Sequence, residues 1–190
     1  MSIYKVITSR RTVRKFKQEK IKEALLMKMI DGARLAPSAA NKQPLKYRIV
    51  NQEEEVKAVF DYTKWAGYIA PDGTPKADEE PVAFIVVLGD TDIRKSGFEL
   101  DAGAAIQNIL LVAKEEGIGS CWIGSINREK IREALNIPIS LTLISVIALG
   151  YEGEWPVTED EAGSIKYYKG SDDVLHVPKR KLKDIIVKLE

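Results

Sequence analysis

Five basic residues crowd the short stretch Arg10, Arg11, Arg14, Lys15 and Lys17, in the segment SRRTVRKFKQEK. In a chain with 29 lysines and arginines against 28 aspartates and glutamates, that local excess stands out. A solvated charged face is one explanation, and the ordinary one for an isolated run of this kind. A nucleic-acid contact is a second, but it needs a broader basic field and stacking aromatics, and only Phe16 is nearby. A phosphate site is the third. Arg10 and Arg11 offer forked guanidinium donors and Thr12 a hydroxyl, a donor set suited to a phosphate monoester dianion.

Other chemistries have weaker footholds. The chain has one cysteine, Cys121, and one histidine, His176, which excludes an internal disulfide and the usual cysteine–histidine cages for zinc or iron–sulfur clusters. No metal site is expected. There is no GxGxxG or GxxxxGK[ST] pattern for a dinucleotide or P-loop fold, and no GxSxG elbow for a serine nucleophile. Cys121 sits beside Trp122 in an apolar strand without an adjacent base, so it reads as inert, and His176 reads as a surface residue. Redox chemistry in such a chain requires an organic cofactor.

The elements that must position the basic segment can be read from periodicity. A length of 190 residues, 45% of them hydrophobic, fits one compact domain spanning 1–190. Nothing at the start reads as a signal peptide and no run approaches a membrane span, so a cytoplasmic location is expected. Ser2 can cap a short helix carrying Ile3, Val6 and Ile7. Leu26, Met29, Ile30 and Ala33 predict a helix over about 22–36, stopped by Pro37. The loop PSAANKQP leads into LKYRIV, whose alternation predicts a half-buried strand, whereas VAFIVVLG and LISVIALG are apolar throughout and predict strands buried on both faces. Between the first two strands, after a helix with Val56, Val59 and Phe60, lies WAGYIAPDGTPKADEEP. Its glycines and prolines mark an excursion loop, and Trp65 and Tyr68 within it are either a substrate lid or core aromatics.

The strongest helix runs over Glu99–Glu116, with Gly117 as its C-terminal cap. It is apolar nearly all round, with Ala102, Ala105, Ile106, Ile109 and Leu110 among its residues, and therefore predicts burial on every side, including against a second subunit. GSCWIGSI is a short strand ending in a glycine-bearing turn, followed by a helix capped by Asn127. The tail after Gly153 shows no periodicity until VPKRKLKDIIVKL, where Leu182, Ile185, Ile186 and Leu189 predict a final amphipathic helix.

Taken in order, these segments resemble the nitroreductase family from about residue 3 to residue 189. SRRTVRKF is similar to the family's RRS-x-R-x-[FY] element, PSAANKQP to its PS-[SA]-x-N-x-QP loop, GIGSCWIGSI to its glycine-bearing strand under the flavin, and KRKLKDII to its closing basic element. The resemblance implies an α+β fold, with a mainly antiparallel central sheet flanked by helices, in an intertwined homodimer that exchanges terminal segments. It also implies an FMN-dependent oxidoreductase that takes hydride from NADH or NADPH and passes electrons by ping-pong to nitroaromatic or similar small acceptors.

Roles carry over by position. Arg10, Arg11 and Thr12 would hold the phosphate and ribityl chain, with Lys179 and Arg180 completing the clamp. Arg14 would face the pyrimidine end of the flavin, where a fixed cation favours reduction. Ser38, Ala39, Asn41 and Gln43 would come from the partner subunit, although Ala39 stands where many relatives have a second serine and can offer only backbone groups. Gly124 and Ser125 would bring backbone N–H groups to the ring nitrogen that accepts hydride. Trp65 and Tyr68 are the substrate candidates. No catalytic acid or base is implied, since the flavin carries the chemistry. Reduction of an enone, quinone or halogenated aromatic, or a flavin-binding sensor or carrier without turnover, stays open as an alternative.

Overall fold

The computed structural model describes residues 2–187. In chain order they form α1 (Ile3–Ser9), β1 (Phe16–Lys17), α2 (Glu23–Arg34), β2 (Leu45–Val50), α3 (Glu53–Phe60), β3 (Ala83–Asp90), α4 (Glu99–Glu115), β4 (Ile118–Ile123), α5 (Arg128–Ala134), β5 (Leu141–Glu152), β6 (Val157–Asp160), β7 (Tyr168–Lys169), β8 (Leu175–Lys179) and α6 (Leu182–Ile185). The cap residues named from sequence act as such. Ser2 Oγ accepts from Lys5 N–H, Asn127 Oδ1 accepts from Lys130 N–H, and Gly117 follows α4 at φ +73°.

The main sheet is antiparallel throughout: β5 pairs with β1, β3 and β4, and β2 adds to β3. β3 and β5 are apolar in both phases because each face meets a helical layer. Phe84, Val86 and Leu88 point to the side where Val56 and Val59 of α3 and Ile131 of α5 pack, while Ile85 and Val87 point to Leu26 and Met29 of α2 and Ile106 and Ile109 of α4. Each such side chain contributes about 1.5–3 kcal/mol by burial. The result is the α+β, helix–sheet–helix arrangement expected from the sequence. Close approach of α2 and α4 depends on Gly32: a Cβ there would stand 3.1 Å from Val112 Cγ2, and the Gly32 carbonyl accepts from Asn108 Nδ2 at 2.9 Å.

Three sequence expectations change. The α4 helix is not buried all round in one chain: Ile106 and Ile109 are fully covered by the sheet side, whereas Leu100 is 88% exposed and Gln107 is also exposed. The final helix shrinks to the four residues of α6, because VPK is taken into β8, and Leu182, Ile185 and Ile186 are exposed. Leu189 lies outside the described residues. Finally, the aperiodic tail is not a plain loop but a second sheet of order β6–β8–β7. Its strands are too short for alternation to show in sequence.

Candidate functional site

The basic segment is held as an extended ribbon across one end of the main sheet. Thr12 bridges Ser120 of β4, Val13 N–H donates to the Ser120 carbonyl, Phe16 N–H to Glu79, and Gly153 N–H to the Lys15 carbonyl. Phe16 and Val13 turn into the core while the basic residues stay partly accessible. A Cβ on Gly150 or Gly119 would stand within 3 Å of Phe16 or Val13, so those two glycines let the ribbon lie against the strands.

Arg10 and Arg11 sit side by side and, among the described residues, neither has a carboxylate within ion-pair distance. Partial burial, followed by the charge of Arg11, pushes the Arg10 guanidinium below its ordinary pKa, and burial does the same to Arg11. Two uncompensated cations in one place suit a dianion. Arg11 is aimed by bonds to the Thr8 carbonyl and, at 2.8 Å, to Thr158 Oγ1 of β6. β6 runs parallel to β8, with Thr158 opposite Val177 and Asp160 opposite Lys179. Lys179 therefore shares the Thr158 face of the small sheet, two residues or roughly 7 Å along the strand. Arg180 follows it on the surface.

Beyond Arg11 the ribbon enters a depression of about 750 Å3. Arg14, Trp65, Gly67, Trp122, Gly124 and Ser125 are among the residues that line it. A volume of this size suits a small organic ligand. Its rim is the turn after β4, where Lys64 N–H donates to the Ser125 carbonyl and Ile126 N–H to Gly124, while the N–H groups of Gly124 and Ser125 have no turn or loop carbonyl as acceptor among the described residues. A Cβ on Gly124 would meet nothing within 4 Å, so neither packing nor backbone angle demands a glycine there. What the glycine leaves is room above these two donors, and that fits the edge of a planar ring with an acceptor atom.

Arg128 fixes this turn. Its guanidinium donates to the carbonyls of Leu143, Ile144 and Gly124, and Ile144 is the extra residue of a β-bulge where β5 slips register against Val87 and Leu88. Arg14 is tethered by its own backbone N–H, which Glu154 Oε1 accepts. Cys121 lines the depression but is buried, and burial pushes its thiol up to about 11 against the opposing pull of Arg14. It is a thiol at neutral pH.

The loop residues lie elsewhere. Ser38 Oγ accepts from Gln43 N–H, Gln43 Nε2 donates to Asn41, and Ala39 N–H donates to Asp101 Oδ1, with Ala40, Asn41 and Gln43 all in the left-handed region. Asp101 is buried and pairs with Arg94 at 2.9 Å. Ser38 and Gln43 border a second, mainly apolar cleft of about 270 Å3, shared with Ile30, Pro37, Tyr47 and Ala105. Burial in its wall pushes the Tyr47 hydroxyl up to about 12, so it stays protonated. The two clefts have no lining residue in common. Within one chain, then, Arg14, Gly124 and Ser125 line one cavity, Arg10, Arg11 and Thr12 precede Arg14 on the ribbon without lining it, and the Ser38–Gln43 loop does not join them.

Of the aromatic pair, Trp65 is 7% exposed, packs on Phe60 and donates its indole N–H to Thr63 Oγ1, so it is a core residue whose edge reaches the cavity. Tyr68 is 57% exposed. Sequence reasoning passed over Trp122, which is 47% exposed in an otherwise buried strand and held by an indole bond to Ser145 Oγ. Arg128, Glu154 and Asp101 were also missed. A polar residue inside an apolar helix was the available signal for Asp101; the others carry none without the fold.

Among the described residues no cluster of histidine, cysteine or carboxylate side chains could hold a metal ion, and no helix is long and apolar enough to cross a membrane. A family model described as the nitroreductase family matches residues 7–151. An Archaeoglobus fulgidus protein with the provisional name NADH dehydrogenase/NAD(P)H nitroreductase is 34% identical over 154 residues, covering 77% of this chain and 83% of that one. Among solved structures, an FMN-dependent nitroreductase of Clostridium difficile R20291 aligns with a TM-score of 0.64 at 28% identity over 88% of this chain and 92% of the other. A Desulfovibrio desulfuricans protein crystallised with FMN shares the fold at a TM-score of 0.74 and 21% identity, over 100% of this chain and 98% of its own.

Proposed function

Because the chain belongs to the nitroreductase family, we propose that it is an FMN-dependent oxidoreductase drawing on NADH or NADPH and reducing nitroaromatic or similar small acceptors in a ping-pong cycle. FMN, when bound, would supply the two-electron redox chemistry between the nicotinamide and the acceptor. The observation that carries the reading is one cavity lined by Arg14, Gly124 and Ser125, with Arg14 on a ribbon whose preceding arginine pair has no carboxylate within ion-pair distance among the described residues.

The chain's own groups have distinct tasks. Arg10 and Arg11, with Thr12, Lys179 and Arg180, would bind the phosphate. Arg14 would hold a positive charge beside the flavin ring, and Gly124 and Ser125 would orient the ring edge by donation. Trp122 and the small residues Ala66, Gly67 and Ala70 form further walls of the cavity. No side chain in the cavity needs to act as an obligatory acid or base.

A complete site takes a second copy of the chain. The Ser38–Gln43 loop offers Ser38, Asn41 and Gln43 with strained, outward backbone, yet shares no cavity with Arg14, which supports its service to the neighbouring subunit. Exposed apolar residues on α1, α2 and α4, including Ile3, Met27 and Leu100, supply a surface for that contact. The test is direct. Purified protein titrated with FMN should show a flavin absorption band that NADH or NADPH bleaches anaerobically and a nitroaromatic restores; a protein that takes up no FMN, or whose bound FMN neither nucleotide reduces, would overturn the proposal.

A further inference from the structure

Arg14 has a neighbour that the motif-bearing segments do not supply. Its guanidinium makes no side-chain hydrogen bond or ion pair among the described residues; what it meets is the ring of Tyr167, whose centroid lies 5.2 Å away. Tyr167 lies between β6 and β7 and is half-buried, while residues 162–166 before it and Tyr168 after it are exposed. On the excursion loop, the ring of Tyr68 stands 4.9 Å from that of Tyr167 at an interplanar angle of 53°, and Tyr68 N–H donates to the Tyr167 hydroxyl at 3.4 Å. Lys166 Nζ is 5.9 Å from the centre of the Tyr68 ring. Cation, ring, ring and cation thus join three segments distant in sequence. Two of them border the cavity: Arg14 lies in its wall, and Ala66, Gly67, Ala70 and Pro71 of the excursion loop form another side.

We propose that Tyr167 is a positioning residue that ties the excursion loop to Arg14, so that the placement of the loop over the cavity and the placement of the cation in its wall change together. The inference rests on the flavin reading of that cavity. Its physical basis is that the aromatic face attracts the guanidinium while the ring edge and hydroxyl hold Tyr68. A loop displaced by an incoming acceptor would pull on the ring that fixes Arg14, and would therefore be felt by whatever Arg14 contacts. Acceptor fit and the electron affinity of the flavin become linked through one side chain.

Tyr167→Leu and Tyr167→Phe separate the parts. In the FMN-free protein, hydrogen exchange of the 66–74 amides should quicken roughly 2- to 10-fold in Tyr167→Leu, as expected for loss of an aromatic pair. With FMN bound, the same variant should bind the flavin about two- to fivefold more weakly, show a lower midpoint potential and a raised acceptor KM. Tyr167→Phe keeps the face over Arg14 and loses only the hydroxyl, so its potential should stay at the parent value while loop exchange rises modestly. Unchanged loop exchange in Tyr167→Leu overturns the proposal, and so does a faster loop with the parent's midpoint potential, which would make Tyr167 a loop prop without a link to Arg14. Failure of the parent to bind FMN is a different result: it removes the proposed function, and this inference with it.

Discussion

Arg10→Ala separates a cation kept for a ligand from one kept for the fold. Arg11 donates to Thr8 and Thr158 and so also serves local structure, whereas Arg10 has no carboxylate partner among the described residues and is held below its ordinary pKa by burial and by Arg11. A lowered pKa in an arginine means that the folded state disfavours the charged form, so deleting the side chain should leave the FMN-free protein as stable as the parent or slightly more so. With FMN present the sign reverses. A charge-assisted bond to phosphate is worth about 1.5–3 kcal/mol, which is roughly a 10- to 150-fold loss of affinity. At saturating FMN the linked loss of stabilisation is of the same size, and for a chain of this length it should trim the FMN-induced rise in Tm by about 3–12 °C. Flavin titration and thermal melts with FMN and riboflavin provide the assay. Riboflavin lacks the phosphate, so Arg10→Ala should bind it as the parent does. Equal weakening toward both flavins, or undiminished FMN affinity, would refute the phosphate assignment.

Further outcomes follow from individual positions. Gly124→Val has room for its Cβ in the FMN-free protein and should melt at the parent's temperature, but should weaken FMN and riboflavin alike; a parent-like flavin affinity would place the ring elsewhere. Leu100→Glu should yield a folded monomer in sedimentation, since Leu100 is 88% exposed in one chain, whereas Ile106→Glu puts a charge into a fully buried position and should cost the fold itself several kcal/mol. Survival of the dimer in Leu100→Glu would move the interface off that end of α4. Glu159 is held below the usual carboxylate range by His176, then by Tyr168, so its contribution should be present above the unfolded pKa near 4.5 and lost as pH falls through its lower folded value. The Tm gap between parent and Glu159→Gln should therefore be full at pH 6 and close toward pH 3; a gap that widens on acidification would contradict the pairing.

The sequence revealed the fold where burial repeats along an element. β3 and β5 were legible because both faces are covered, and β2 because Lys46 and Arg48 alternate with apolar neighbours. α4 misled in one respect: Ile106 and Leu100 look alike as letters, and only the fold decides that one meets the sheet and the other open surface. The small β6–β8–β7 sheet was invisible, since Val157–Asp160 owes its strand state to pairing with Leu175–Lys179 and carries no pattern of its own. The candidate-site arginines and glycine were named through motifs that resemble the nitroreductase family, which a linear sequence can carry. Tyr167 and Arg128 could not be named so, because their roles arise from segments brought together over long separations.

The ribbon from Arg10 to Lys17 bears on how the molecule is made. Nearly every contact that fixes it comes from far downstream: Glu79, Ser120, Glu152, Gly153, Glu154 and Thr158. Ribosomal synthesis delivers Arg10 and Arg14 before any of these partners, and the strand that receives Phe16 ends at Glu152. Closing so long a loop is slow relative to local helix formation. The contacts that fix the ribbon cannot form until β5 is complete. If the ribbon holds FMN as proposed, cofactor uptake should therefore come late, and nascent chains halted before residue 150 should expose the ribbon to proteases while their helices are already protected.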